Sequence, residues 1–236
     1  MHFSKRSGKT NVVVVVVIAV FALWVCGGLA VSLILPAVKM ARDASRRTVS
    51  TNNMKQLGLA LYHYHSLHKT FPPAFIADED GQPRTSWRAL LLPLMAPNYQ
   101  DDYDFNVAWD DPKNLAALEK YRNVYASPFV GEDGYTSYLA VVGPSTVIST
   151  DEQVQLQDVT DGTYVTLCVI EDFKSPVPWS APIDISPEEL LTRYEQKDFP
   201  NRMLVLMVDG SVHEMPLGSP QALKAMIFRD DGLTPY

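Results

Sequence analysis

From Val12 to Leu35 the chain runs for 24 residues without a charged side chain, opening on six consecutive valines. As a helix this run is roughly 36 Å long at 1.5 Å per residue, enough to cross a hydrocarbon layer of about 30 Å with some tilt. A helix apolar on every side needs a large protein to bury it in water, and the rest of this 236-residue chain amounts to one domain. The expected organisation is a short basic tail at residues 1–11, a transmembrane helix at 12–35 and a single domain at 36–236. A cleaved secretory signal has a shorter apolar core, about 7 to 15 residues, although Gly27-Gly28-Leu29-Ala30 offers small residues. A lipoprotein signal needs small residues before its cysteine, and Leu23-Trp24-Val25 precede Cys26. A retained single span is the expectation.

Formal charge is divided between the two ends of the chain. Residues 1–68 hold eight Lys or Arg against Asp43 alone, a charge of +7, while residues 69–236 hold 12 bases and 26 acids, a charge of -14. The basic end suits anionic membrane lipid, and the acidic end argues against a nucleic-acid partner, whose phosphates select positive surfaces. Basic residues flank the apolar run on both sides, so counting them does not set its orientation. Long domains translocate largely regardless of charge, which makes an extracytoplasmic domain the expected arrangement. Cys26 in lipid cannot pair with Cys168, so no disulfide framework is expected.

Beyond Pro36, residues 37–68 read as a juxtamembrane helix. Its first part is polar and basic, and Met54, Leu57, Leu61 and Tyr64 then recur at spacings of three and four on one face. The helix is expected to continue the apolar one, kinked at Pro36 where an amide donor is missing. Further helices are expected at Ser86–Met95, at Pro112–Tyr121 with Asp111 as cap, at Ser186–Tyr194 with a capping box, and at Ser219–Phe228. Strands are expected at Thr136–Val142, Tyr164–Glu171, Met203–Val208 and Ser211–Met215, the last two joined by a two-residue Asp209-Gly210 turn in which both residues can take positive φ. The class is α+β: a long N-terminal helix, transmembrane and then amphipathic, laid on a small antiparallel sheet.

Few residues suggest chemistry. His63, His65 and His68 form the densest group of potential metal ligands, but His63 and His65 point to opposite helix faces and no Cys or carboxylate joins them locally. A helix end beside the core is the simpler reading. Asp80-Gly81, Asp133-Gly134, Asp161-Gly162, Asp209-Gly210 and Asp231-Gly232 lack the series of oxygen ligands that a calcium loop needs and read as turns. Ser145 lacks the spacing of a nucleophile elbow. His213-Glu214 sits on a strand without the second histidine of a zinc-protease helix. Trp87, Trp109 and Trp179 read as packing residues. No catalytic residue, cofactor or metal site is expected.

Taken in order, several stretches resemble the bacterial family known as domain of unknown function 1559, whose members carry a pilin-like N-terminus. They include Leu35-Pro36-Ala37-Val38, Ala41-Arg42-Asp43-Ala44-Ser45-Arg46-Arg47, Asn52-Asn53-Met54-Lys55-Gln56-Leu57-Gly58-Leu59-Ala60-Leu61, Tyr64-His65 and Phe71-Pro72-Pro73. Ser86-Trp87-Arg88, Thr136-Ser137-Tyr138-Leu139, Thr160-Asp161-Gly162-Thr163, Val177-Pro178-Trp179 and Val208-Asp209-Gly210-Ser211-Val212 complete the series. The resemblance implies a membrane-anchored, pilin-like protein. The chain departs from it where prepilin processing would act: Gly8 is followed by Lys9, and Val13 stands where a glutamate is usual. Ala126-Ser127-Pro128-Phe129 replaces a frequent Cys-Pro-Ser-Asp segment, and Phe199 replaces a frequent histidine, so any chemistry tied to those positions is lost.

The function expected from the sequence is that of a non-enzymatic, single-pass membrane protein presenting an acidic domain to envelope or surface partners. A tethered solute-binding module is the alternative, and a tethered hydrolase ranks third.

Overall fold

The computed structural model describes residues 9–96, 98–199, 202–216 and 219–233, with the side chains of 9–11, 26–31, Arg202 and Pro216 excepted. Most of the expected basic tail therefore lies outside the described residues, as do the side chains of Cys26 and its neighbours in the expected span. The chain divides into two compact units, residues 1–47 and 48–236.

A single helix, α1 (Lys9–His68), runs through Pro36 and across the division between the units. In the first unit every apolar side chain described from Val12 to Val25 is exposed, Trp24 at 80 %. Among the described residues, no helix is long and apolar enough to cross a membrane. The expected 12–35 span includes residues 26–31, whose side chains are not described.

In the second unit, Met54, Leu57 and Leu61 of α1 are buried and Tyr64 is half-buried. The helix ends where Lys69 takes a left-handed φ of 67° and its amide donates to His65 O at 2.7 Å, a single-bond C-terminal cap. A small hairpin follows, β1 (Phe75–Ala77) with β2 (Pro83–Ser86). Next come α2 (Trp87–Met95), α3 (Pro112–Lys120), β3 (Tyr135–Thr136), β4 (Tyr138–Ala140), a 3-10 turn at Leu156–Asp158 and β5 (Leu167–Glu171). The chain closes with β6 (Val177–Pro178), α4 (Pro187–Glu195), β7 (Arg202–Met207), β8 (Val212–Pro216) and α5 (Pro220–Ile227). Ser86, Asp111, Ser186 and Ser219 cap their helices through side-chain oxygens, with proline opening α3, α4 and α5. These local signals satisfy amides that have no partner inside the helix.

The central sheet is antiparallel in the order β4-β5-β7-β8. Along β7, Leu204 and Leu206 belong to the cluster that contains Met54, Leu57 and Leu61, whereas Met203, Val205 and Met207 pack with Leu190 of α4 and with Leu223 and Ile227 of α5. Period-two alternation thus gives the sheet α1 on one face and the α4–α5 pair on the other. The second face is a layer that the sequence reading did not assign. A register shift between Leu167 and Val169 breaks the alternation, so Cys168 and Val169 both join the α1 side.

Two expectations about the sheet need correction. The expected strand Thr136–Val142 is two strands in different sheets, because β3 pairs with β6 and β4 pairs with β5. Ser137 between them turns away to bond Glu171. The β7–β8 connection is not a two-residue turn. Gly210 N donates to Met207 O and Met207 N donates to Ser211 O, at 3.0 and 2.8 Å, so three residues form the loop and Gly210 alone takes positive φ, 83°. This is the turn-plus-bulge hairpin, in which the glycine absorbs the left-handed position.

Candidate functional site

Glu171, the last residue of β5, is 3 % exposed and gathers donors from three other segments. Its Oε1 accepts from Ser50 Oγ of α1, from Ser127 Oγ at 3.2 Å and from Ser137 Oγ at 3.3 Å. The Ser50 hydroxyl also meets the Tyr138 hydroxyl at 3.0 Å, and Asn53 Nδ2 reaches both Tyr138 Oη (3.4 Å) and Ala126 O (2.9 Å). Burial raises the Glu171 carboxyl above its ordinary value, and the three serine donors only partly offset it. Burial likewise pushes the Tyr138 phenol up to about 12. The groups described around the Glu171 carboxyl are neutral: three serine hydroxyls, with the Tyr138 hydroxyl and the Asn53 amide behind them.

A second polar centre is built around Arg88, which has no exposed surface. Its Nε donates to Trp179 O, its Nη1 to Tyr138 O and Asp184 Oδ1, and its Nη2 to Ala181 O and Ile183 O, at 2.7 to 3.1 Å. All five guanidinium donors are used. Asp184 also accepts from the Trp87 indole (3.0 Å) and the Ala140 amide (2.8 Å). Burial raises the Asp184 carboxyl, while Arg88, Trp87 and Ala140 act in the opposite direction. Here charge is paired, and the bonds tie α2 and β4 to the loop that follows β6.

The motif residues therefore meet in space, but as packing. Asn53, Ser137 and Tyr138 surround Glu171, while Trp87, Arg88 and Trp179 close the Asp184 clasp. Gly58 of α1 lies against the β7–β8 loop, where an added Cβ would stand 3.1 Å from Gly210 Cα and 3.1 Å from Leu206 Cδ1. Ser127, in the segment that replaces Cys-Pro-Ser-Asp, serves the Glu171 cluster, and Phe199 is buried beneath the Arg193 guanidinium at 4.8 Å.

The three histidines are not brought together. His65 Nε2 accepts from the Leu156 amide at 3.1 Å, which requires the neutral ring, and burial beside Lys69 lowers its pKa. His68 stacks on Tyr64 at 4.2 Å, and His63 lines a cleft with Gln56, Leu59, Ala60, Leu94 and Met95. Among the described residues no group of three or more His, Cys, Asp or Glu is placed to hold a metal ion. All five glycines of the Asp-Gly pairs have positive φ, between 73° and 111°, in keeping with their reading as turns. Ser145 takes φ 57° and its carbonyl accepts from the Arg229 amide at 2.9 Å. His213 is on β8 and bonds Ser211 Oγ at 2.9 Å. Trp87 and Trp179 are fully buried and Trp109 is half-buried. Cys168 is buried, its thiol pushed up to about 12 by desolvation, which makes it inert as a nucleophile.

Sequence reasoning singled out neither Glu171 nor Asp184. The available signal was an acid beside apolar residues, in Leu167-Cys168-Val169-Ile170-Glu171-Asp172 and Pro182-Ile183-Asp184-Ile185. What identifies them is the set of donors that arrives from distant segments.

No curated protein and no solved structure matches this chain. Residues 39–136, from the middle of α1 to the end of β3, match the family described as a protein of unknown function (DUF1559).

Proposed function

We propose that the chain is a non-enzymatic, pilin-like protein held in a membrane by residues 12–35, presenting an acidic extracytoplasmic domain to envelope or surface partners. The observation that carries the reading is the exposed apolar surface of α1. Val12 to Val25 are uncovered on every side of the helix, as are Leu33, Ile34 and Leu35. In water this is an aggregation hazard; in hydrocarbon it is the favourable state. The run of valines adds to the argument, since β-branched residues are mediocre helix formers in water, whereas lipid obliges a chain to close its own backbone hydrogen bonds.

The absence of an enzymatic role is supported by how the polar groups are spent. Glu171 and Arg88 are buried, Asp184 keeps only 7 % of its side chain exposed, all three are bonded to protein groups, and Cys168 is buried. The solute-binding alternative draws on the cleft between α1 and α2. That cleft holds about 220 Å³, below the roughly 300 to 1,000 Å³ of ordinary ligand pockets, so presentation of the domain ranks first.

Alkaline carbonate extraction of membranes carrying the full chain tests the anchor. The full chain is expected in the pellet and a variant lacking residues 12–35 in the supernatant; extraction of the full chain contradicts the reading. A C-terminal reporter active in one compartment only tests the side, and cytoplasmic activity overturns the extracytoplasmic assignment.

A further inference from the structure

The first unit carries one face unlike the rest of its surface. Leu35, Lys39, Arg42 and Arg46 follow one another at spacings of four, three and four, which places them on one side of α1. Together with Val38 and Asp43 they line a groove of about 340 Å³. All of these side chains are exposed except Asp43, which is half-exposed. Ala37, Met40, Ala41 and Ala44 occupy the opposite side of the helix.

The axial positions are informative. Leu35 is the last residue of the uncharged run, and Lys39, Arg42 and Arg46 stand roughly 6, 10 and 16 Å beyond it along the helix. The headgroup layer outside each side of the hydrocarbon is about 5 to 7 Å thick. Lys39 sits at that depth, and Arg42 and Arg46 can lean back towards it with their long stems along the helix. Arginine offers a planar pair of donors that fits a phosphate, and lysine supplies a compact charge. One acid, Asp43, at the margin leaves the face strongly positive.

We propose that the Lys39–Arg42–Arg46 face binds the phosphates of anionic phospholipid, so that α1 selects lipid as well as entering it. This rests on the anchored reading of residues 12–35. A cation near an anionic surface contributes about 1 kcal/mol, which corresponds to roughly a fivefold preference per residue. The preference weakens as salt shortens the screening length.

The test reconstitutes the full chain in phosphatidylcholine vesicles containing spin-labelled phosphatidylglycerol or spin-labelled phosphatidylcholine and reads the lipid immobilised at the protein. The wild type is expected to enrich phosphatidylglycerol at least fivefold at low salt and to lose most of that enrichment in high salt. K39Q/R42Q/R46Q should show no preference while still resisting carbonate extraction, and R42K/R46K should keep a preference. Equal immobilisation of both lipids by a carbonate-resistant wild type, or an unchanged preference in the triple glutamine variant, overturns the proposal and leaves the anchor standing. Carbonate extraction of the wild type overturns both.

Discussion

Glu171 is buried and Asp184 has 7 % of its side chain exposed; Asp184 lies against the Arg88 guanidinium, whereas the groups described on Glu171 are serine hydroxyls. The difference has opposite consequences for mutation. Because burial raises the Glu171 pKa, the folded protein holds this proton more tightly than the unfolded chain does. The contribution of the neutral acid is then present at low pH and lost as pH rises through the folded pKa, in a window above the ordinary glutamate value of about 4.3. Glu171→Gln keeps the acceptor and removes the titration. Urea midpoints of the wild type minus those of the variant should fall with rising pH across that window, and a flat difference would contradict the assignment. Arg88→Ala strands the Asp184 carboxylate and four carbonyls, and should cost on the order of 3 to 5 kcal/mol in the same measurement; a loss below about 1 kcal/mol, the scale of an exposed pair, would show the clasp to be dispensable. His65 titrates in the other direction. Its pKa is lowered, so its contribution is complete above about 6.5 and is lost as pH falls.

At the scale of elements, the helices were legible because their signals are local. A serine or aspartate cap and a proline in the first turn act within four residues, and Ser86, Asp111, Ser186 and Ser219 all cap where the sequence places them. The sheet was less so. Thr136–Val142 reads as one strand, and only its partners, β6 for one part and β5 for the other, reveal the break at Ser137. The β1–β2 hairpin has too few residues for a periodic pattern. Gly58 illustrates the same limit: the glycine is visible in the sequence, but its reason is the approach of Gly210, 152 positions away. Gly58→Leu should push α1 off the hairpin and lower stability by up to about 3 kcal/mol. An unaffected urea midpoint would mean that the contact is looser than 3.1 Å. The donor cluster around Glu171 was illegible for the same reason, since Ser50, Ser127 and Ser137 are unremarkable residues until folding converges them.

For the whole molecule, the feature read first from the sequence remains the one on which the functional account depends. On the proposed reading, the uncharged run, the basic residues beyond it and the acidic remainder suit a chain that sits at a membrane surface, while Glu171, Arg88 and Asp184 of the second unit are bonded to protein groups. Residues 12–35 are proposed to lie in lipid. Single cysteines at Ile18, Trp24, Leu33, Met40 and Leu59, in a chain with Cys26 and Cys168 replaced by alanine, test it most directly in intact membranes exposed to a small water-soluble maleimide on both sides. Positions 18, 24 and 33 should stay unlabelled until detergent is added, while 40 and 59 should react at once. Labelling of 18, 24 and 33 as fast as 59 before detergent would contradict it.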